Sequence, residues 1–209
     1  EFAEANNMKV KFHTLFWHNQ NPSFLSERWS REKALEVMDN HISTIMTRYK
    51  GRIQDYDVVN EMFEDNGSLR KNIWYKTIGE DYIEHALIKA HECDPSAKLY
   101  INDYSNETMG QPKADAMFTF VKNLKEKGVP INGVGMQMHM DTAYGFNAEQ
   151  IRKNVKRYAD IGVDVSFSEV AVRIPQKNYE SHLDKQQQIY CELLQIAVEE
   201  PNVKNFIMW

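Results

Sequence analysis

Ile53-Gln54-Asp55-Tyr56-Asp57-Val58-Val59-Asn60-Glu61 is the run on which the fold is decided. Its β-branched and apolar centre reads as a strand, and it stops abruptly on two polar side chains, Asn60 and Glu61. The same ending recurs on either side. Lys9–Trp17 is β-rich and closes on Trp17-His18; Ala97–Asn102 closes on Asn102-Asp103. Gly133–Met138 follows Gly128-Val129-Pro130 and ends around Gln137 and His139. Val163–Phe167 closes on Ser168-Glu169, and Asn205–Trp209 starts a sixth strand.

Helical patterns fill the gaps. Trp29–Tyr49 carries Leu35, Met38, Ile42, Ile45 and Met46 at the spacing of one helical face. Leu69–Cys93 reads as a helix broken at Gly79, with Ala86, Leu87 and Ala90 facing inward. Ala114–Lys127 should bury Met117, Phe118, Phe120, Val121 and Leu124. Ala148–Ala159 and Leu183–Glu199 complete the set, the last ended by Pro201. Continuous strand–helix alternation means parallel strands, because each crossover carries a helix. A doubly wound open sheet should show a Gly-rich phosphate turn after a strand, and the chain has none. Polar residues at the C-terminal ends of most strands suit a (β/α)8 TIM barrel, where those ends converge on one active-site face. The expected class is therefore α/β, a barrel of which this chain supplies about six strands.

Composition narrows the function classes. At 209 residues the chain is read as one domain, residues 1–209. It carries 25 Lys and Arg against 30 Asp and Glu, a net charge of −5 with no basic stripe, so a nucleic acid is not the expected partner. No apolar run nears the roughly 18 residues of a bilayer span, so no membrane partner is expected. Glu1-Phe2-Ala3-Glu4 has neither the basic start nor the apolar stretch of a signal peptide. Cys93 and Cys191 are read as two buried or half-buried free thiols.

Glu61 and Glu169 stand at strand exits on one rim. Two carboxylates facing one cleft suit cleavage of a glycosidic bond: one protonates the leaving oxygen, the other attacks or activates water. Either could instead cap a helix N-terminus, where negative charge is favoured. Alternation puts His13, Leu15 and Trp17 on one strand face, and Gln137 and His139 on another. An inward imidazole can hydrogen-bond hydroxyls and an indole can stack on a sugar ring; core filling is the plainer alternative. His13, His18 and His139 lack the spacing of a metal site, so no metal and no cofactor is expected. His41, His85, His91 and His182 fall on helices and receive no role.

Four blocks in order resemble glycoside hydrolase family 10: His13-Thr14-Leu15-Phe16-Trp17-His18-Asn19-Gln20-Asn21-Pro22, Tyr56-Asp57-Val58-Val59-Asn60-Glu61, Lys98-Leu99-Tyr100-Ile101-Asn102-Asp103-Tyr104 and Gly133-Val134-Gly135-Met136-Gln137-Met138-His139. The resemblance runs from about Glu4 to Trp209. It implies the third to eighth strands of a catalytic barrel domain and an endo-β-1,4-xylanase acting by a retaining double displacement on xylan or xylo-oligosaccharides. Glu61 matches the acid/base and Glu169 the nucleophile, a pair that needs carboxyls roughly 5–5.5 Å apart. Asn60 matches the residue on the sugar 2-hydroxyl; His13, Trp17 and Gln20 match the lining of the sugar site next to the cut. His139 matches the imidazole on the nucleophile, with Gln137 beside it; Tyr104 matches an aromatic on the leaving-group side, and Trp209 the first of two tryptophans after the last strand. The resemblance also implies a secreted, periplasmic or cell-surface location. A related β-glucanase and a non-catalytic xylan-binding barrel fragment are the alternatives.

The departures from the family pattern carry expectations of their own. Phe12 stands where the family usually has Gly, and Ala171 where it has an Asp two residues past the nucleophile. Without that Asp, His139 should hold its proton less well and be a weaker partner for Glu169. The first two strands and the end of the barrel are not in this sequence. Thr14, Leu15 and Phe16 should then face solvent at an unpaired edge. The functional protein is expected to include further residues, with a complementing segment of the same barrel or an appended carbohydrate-binding module as partner.

Overall fold

The computed structural model describes residues 1–209. Its strands are β1 (Lys11–Phe16), β2 (Asp55–Asn60), β3 (Lys98–Asp103), β4 (Gly133–Met136), β5 (His139–Asp141), β6 (Asp164–Arg173) and β7 (Val203–Met208). The helices are α1 (Phe2–Ala5), α2 (Arg31–Tyr49), α3 (Ile73–Ile78), α4 (Tyr82–Cys93), α5 (Pro112–Glu126), α6 (Ala148–Asp160) and α7 (Leu183–Glu199). All strand pairs are parallel, in the order β1-β2-β3-β4-β6-β5 with β7 also on β6. The chain is an α/β fold and forms a large arc of a (β/α)8 barrel, with the strand C-termini along one rim.

There are seven strands rather than six. The expected strand Gly133–Met138 stops at Met136, and its ladder against β6 resumes at His139. The cause is local. Met138 takes a left-handed backbone, φ 58°, which lifts Gln137 and Met138 out of the ladder. β6 is correspondingly long: Asp164–Phe167 pairs with β4, and Ala171–Arg173 with β5.

Helix boundaries follow local chemistry. Ser30 caps α2 by accepting from the Lys33 amide at 3.3 Å, and Ala34, Met38, Ile42 and Met46 form its fully buried face. The helical stretch expected from Leu69, broken at Gly79, starts only at Ile73, where Asn72 accepts from the Tyr75 amide at 2.9 Å. Gly79, at φ 115°, ends α3, and α4 restarts at Tyr82. Along α5, Met117, Val121 and Leu124 are buried while Phe118 and Phe120 are half-buried.

Leu15 and Phe16 are 5% and 3% exposed, not solvent-facing. The pairing of β1 with β2 shifts between His13 and Phe16 and breaks the alternation expected for His13, Leu15 and Trp17. Leu15 and Phe16 turn outward under α2 and α3, where Phe16 meets Trp74 edge-on at 5.0 Å and His41 Nε2 bonds the Leu15 carbonyl at 3.0 Å. Thr14 is half-buried and donates to the Asp57 carbonyl at 2.9 Å. The two cysteines are unbridged; Cys93 is half-buried, but Cys191 is exposed because it lies on the outer face of α7.

Two glycines of β4 shape the interior. A Cβ on Gly133 would sit 2.0 Å from the Tyr100 ring, and one on Gly135 would sit 1.9 Å from Asn102 Oδ1. β4 thus leaves the room that β3 fills with Tyr100 and Asn102, and so lets Asn102 reach across the rim.

Candidate active site

The rim is built from bent strand exits. Gln20, Glu61, Ser105 and Met138 follow β1, β2, β3 and β4, and each has a left-handed backbone with φ between 52° and 58°. Such a conformation in a non-glycine residue costs about 1–3 kcal/mol and persists only where its surroundings enforce it. At Glu61 they do: its amide donates to the Asn102 carbonyl at 2.8 Å, and its carbonyl accepts from Arg70 Nε at 3.0 Å.

Both carboxylates are held at both oxygens. Glu61 Oε2 accepts from the Trp17 indole N–H at 2.8 Å, and Oε1 from Gln137 Nε2 at 3.1 Å. Glu169 Oε1 accepts from Asn102 Nδ2 at 2.9 Å, and Oε2 lies 3.1 Å from His139 Nε2. Asn102 Nδ2 also donates to Asn60 Oδ1 at 2.9 Å, and Ser168 Oγ donates to Asn102 Oδ1 at 2.6 Å. Gln137 Nε2 is 3.4 Å from Asn60 Oδ1 as well. One network therefore joins the exits of β1, β2, β3, β4 and β6.

His13 approaches from β1. Its Nδ1 is 3.0 Å from Asp57 Oδ2, its Nε2 is 3.9 Å from Glu169 Oε1, and Lys11 Nζ pairs with Asp57 Oδ1 at 2.6 Å. The hydrogen bond to Asp57 raises the His13 pKa above its ordinary value, against burial, which lowers it. His139 is also raised, first by its hydrogen bond to Glu169, with the charges of Glu107 and Glu61 adding to it. With Ala171 opposite it, His139 thus owes its raised pKa to the nucleophile-side carboxylate and its neighbours rather than to an Asp at position 171.

The remaining expected residues are placed less uniformly. Tyr104 is half-buried; its hydroxyl accepts from Arg70 Nη2 at 3.2 Å, and Lys113 Nζ lies 3.3 Å from its ring centroid. Lys113 pairs with Asp103 at 2.7 Å beneath it, where burial pushes the Asp103 pKa up to about 6. Trp209 is 74% exposed at the end of β7, with its ring 6.5 Å from that of His13. Gln20 is exposed in the loop after β1 and makes no hydrogen bond to the network.

Four residues of the network were given no role from the sequence. Asn102 and Ser168 were visible only as polar strand ends. His18, whose Nδ1 is 3.6 Å from Glu61 Oε2 and whose pKa burial lowers, was weighed only as a metal ligand. Arg70 lies in the stretch read as helix, and nothing in its spacing points to the rim. Beside His139 an open cleft of about 700 Å³ is lined in part by Glu107, Lys113, Asp141 and Tyr144.

The model of glycosyl hydrolase family 10 matches residues 1–209, from first to last. The chain belongs to glycosyl hydrolase family 10. Among curated family members it is similar to endo-1,4-beta-xylanase B of Thermotoga neapolitana, 41% identical over 211 residues, covering 100% of this chain and 60% of that protein. Among solved family structures, xylanase 10B of Thermotoga petrophila in complex with xylobiose superposes with a TM-score of 0.94 at 43% identity, covering 100% of this chain and 63% of that one. The intracellular xylanase TsXylA of Thermoanaerobacterium saccharolyticum gives 0.92 at 38% identity, covering 100% and 68%. The chain thus spans less than two thirds of the length of the Thermotoga family members it matches.

Proposed function

We propose that this chain carries the catalytic face of an endo-β-1,4-xylanase that hydrolyses xylan with retention of configuration. The observation that carries the reading is the pair Glu61 and Glu169, each fixed at both carboxyl oxygens and linked through Asn60 and Asn102. Glu169 attacks the anomeric carbon while Glu61 gives a proton to the departing glycosidic oxygen. In the second step Glu61 takes a proton from water, and that water releases the sugar from Glu169. Asn60 and His13 border the place of the sugar next to the cut. Trp17 orients Glu61 through its indole N–H, and Trp209 flanks His13 from outside. Xylobiose in the Thermotoga petrophila structure supports a xylo-oligosaccharide as substrate. A polymer too large to cross a membrane supports action at the cell surface or beyond it, although the Thermoanaerobacterium relative is an intracellular xylanase; recovery of this protein only from the cytoplasm overturns that placement.

The test is reducing-end release from xylan and from carboxymethyl cellulose. Release from xylan alone is the expected result. Activity on cellulose alone makes the chain a β-glucanase, and binding to xylan without release makes it a sugar-binding barrel. Glu169→Ala should abolish turnover, and azide should restore cleavage of an activated aryl xyloside with inverted product. Substantial xylan activity left in Glu169→Ala overturns the nucleophile assignment.

A further inference from the structure

Gln137 touches one acid and His139 the other, and the single residue between them is Met138 in a left-handed conformation. A turn of that kind points its two flanking side chains correctly only while its peptide groups are fixed. Here they are fixed on both sides. The Met138 carbonyl accepts from the Ala171 amide at 3.2 Å, two residues past Glu169, and from the Met140 amide at 3.0 Å. The Met138 amide donates to Glu107 Oε1 at 3.0 Å.

Glu107 is only 6% exposed and comes from a different part of the chain, the loop after β3. That loop is itself tied down. Asn154 of α6 donates through Nδ2 to the carbonyls of Asn106 and Glu107, both at 2.8 Å, and Asn106 Nδ2 donates to the Gly135 carbonyl at 3.0 Å. A buried carboxyl is an expensive way to accept one amide hydrogen, so its position calls for a reason. The reason lies in reach: from this loop a Glu side chain is long enough to meet Met138 N–H. Across the ladder from His139 stands Ala171, which has no polar side chain to steady the imidazole, and His139 Nδ1 has no hydrogen-bond partner in the protein.

We propose that Glu107 is a positioning residue for both acids: by accepting the Met138 amide it locks the Gln137–His139 turn, and through that turn it sets Gln137 against Glu61 and His139 against Glu169. It touches neither acid itself. Its action depends on an acceptor oxygen at the right distance and not on its charge, which burial disfavours by raising its pKa, against the nearby charges of His139 and Lys113. The proposal deepens the hydrolase reading above and rests on it for its kinetic consequence.

Two near-isosteric variants separate reach from charge. Glu107→Gln keeps the acceptor and the length but removes the charge; Glu107→Asp keeps the charge and pulls it back by one methylene. Each is made in the full chain, and the His139 imidazole is titrated by NMR alongside kcat and KM on an aryl xyloside. Glu107→Asp should lower the His139 pKa, because the ring loses its seat against Glu169, and cut kcat by roughly tenfold, the effect of about 1.4 kcal/mol, with KM little changed. Glu107→Gln should keep the parent's kcat within about twofold, and His139 should stay above its ordinary value through its hydrogen bond to Glu169, giving up only the smaller contribution of the Glu107 charge. Parent-like behaviour in Glu107→Asp overturns the proposal, and so does a loss in Glu107→Gln as large as in Glu107→Asp, because a neutral acceptor at the right distance would then not suffice; a loss in Glu107→Gln alone would assign the effect to charge. If the parent shows no turnover even when joined to the remainder of the barrel that its relatives carry, the hydrolase reading fails, while the His139 titration of the two variants still decides the positioning role.

Discussion

Asn102 Nδ2 lies 2.9 Å from both Asn60 Oδ1 and Glu169 Oε1, so one amide group spans the distance between the residue preceding one acid and the other acid itself. Asn102 is wholly buried, and its own carbonyl oxygen is occupied by Ser168 Oγ, which fixes the amide's orientation. Replacing Asn102 by Asp keeps the shape but exchanges the donor for a second negative charge beside Glu169. Hydrogen bonds to charged groups contribute about 1.5–3 kcal/mol. Asn102→Asp should therefore lower kcat/KM on xylo-oligosaccharides by roughly 10- to 100-fold. Steady-state kinetics check this, and parent-like kcat/KM removes Asn102 from the machinery.

Gly135 permits that arrangement by having no side chain. A methyl at this position meets Asn102 Oδ1 at 1.9 Å, well inside contact distance, and the clash is with a side chain already bonded on both ends. Gly135→Ala should destabilise the fold by about 1–3 kcal/mol, as overpacking of a filled interior does, and should lose activity together with it. Thermal unfolding and kcat measured on one preparation test the coupling. An active variant with unchanged Tm would mean that Asn102 has room the structure does not show.

Much of this was readable from residue types alone, and the parts that were not have physical reasons. Asn60-Glu61 and Ser168-Glu169 announce themselves because polar side chains directly after a buried strand must go to the rim. The break in the strand at Met138 was hidden: nothing about a methionine signals φ 58°, and the turn is enforced by Glu107 and Ala171 from elsewhere in the chain. Leu15 was misplaced for a related reason, since strict alternation assumes an unbroken ladder and β1 slips against β2 beyond His13. Asn102 enters the site through contacts with Asn60 and Glu169, far from it in sequence, and Arg70 through the loop that folds back onto the Glu61 and Phe63 carbonyls, neither of which a helix or strand period encodes.

His13 and Asp57 give the site a pH dependence with a definite sign. His13 is raised above its ordinary value of 6.5, so the stability that the pair adds is fully present below pH 6.5 and is lost as pH rises through the folded-state pKa. Asp57→Asn removes that contribution, and it also strips Lys11 of its partner at every pH. The variant should thus be destabilised at pH 8 and more so at pH 5. Denaturant unfolding at the two pH values measures the difference. Equal destabilisation at both would show that His13 is not charged in the folded protein below pH 6.5.

Ala171 faces His139 across the β5–β6 ladder, two residues beyond Glu169. The imidazole is already raised by Glu169, with the charges of Glu107 and Glu61 adding to it, and its Nδ1 has no protein partner. Ala171→Asp puts a carboxylate on the same ladder position, where it can accept a hydrogen bond from Nδ1. An added negative charge stabilises imidazolium, so the His139 pKa should rise further. By linkage the variant should gain stability relative to the parent below pH 6.5 and lose that gain as pH rises through the folded-state pKa of His139. Turnover should respond as well. A protonated His139 donates to Glu169 Oε2 and makes it a poorer nucleophile, so the rate should fall most where the variant is protonated and the parent is not. NMR titration of the ring and a pH–rate profile for both proteins test the two halves separately. A fall in the His139 pKa, or none of the expected rise, would mean that the carboxylate turns away to another donor and that the field around His139 is set by Glu169 and Glu107 alone.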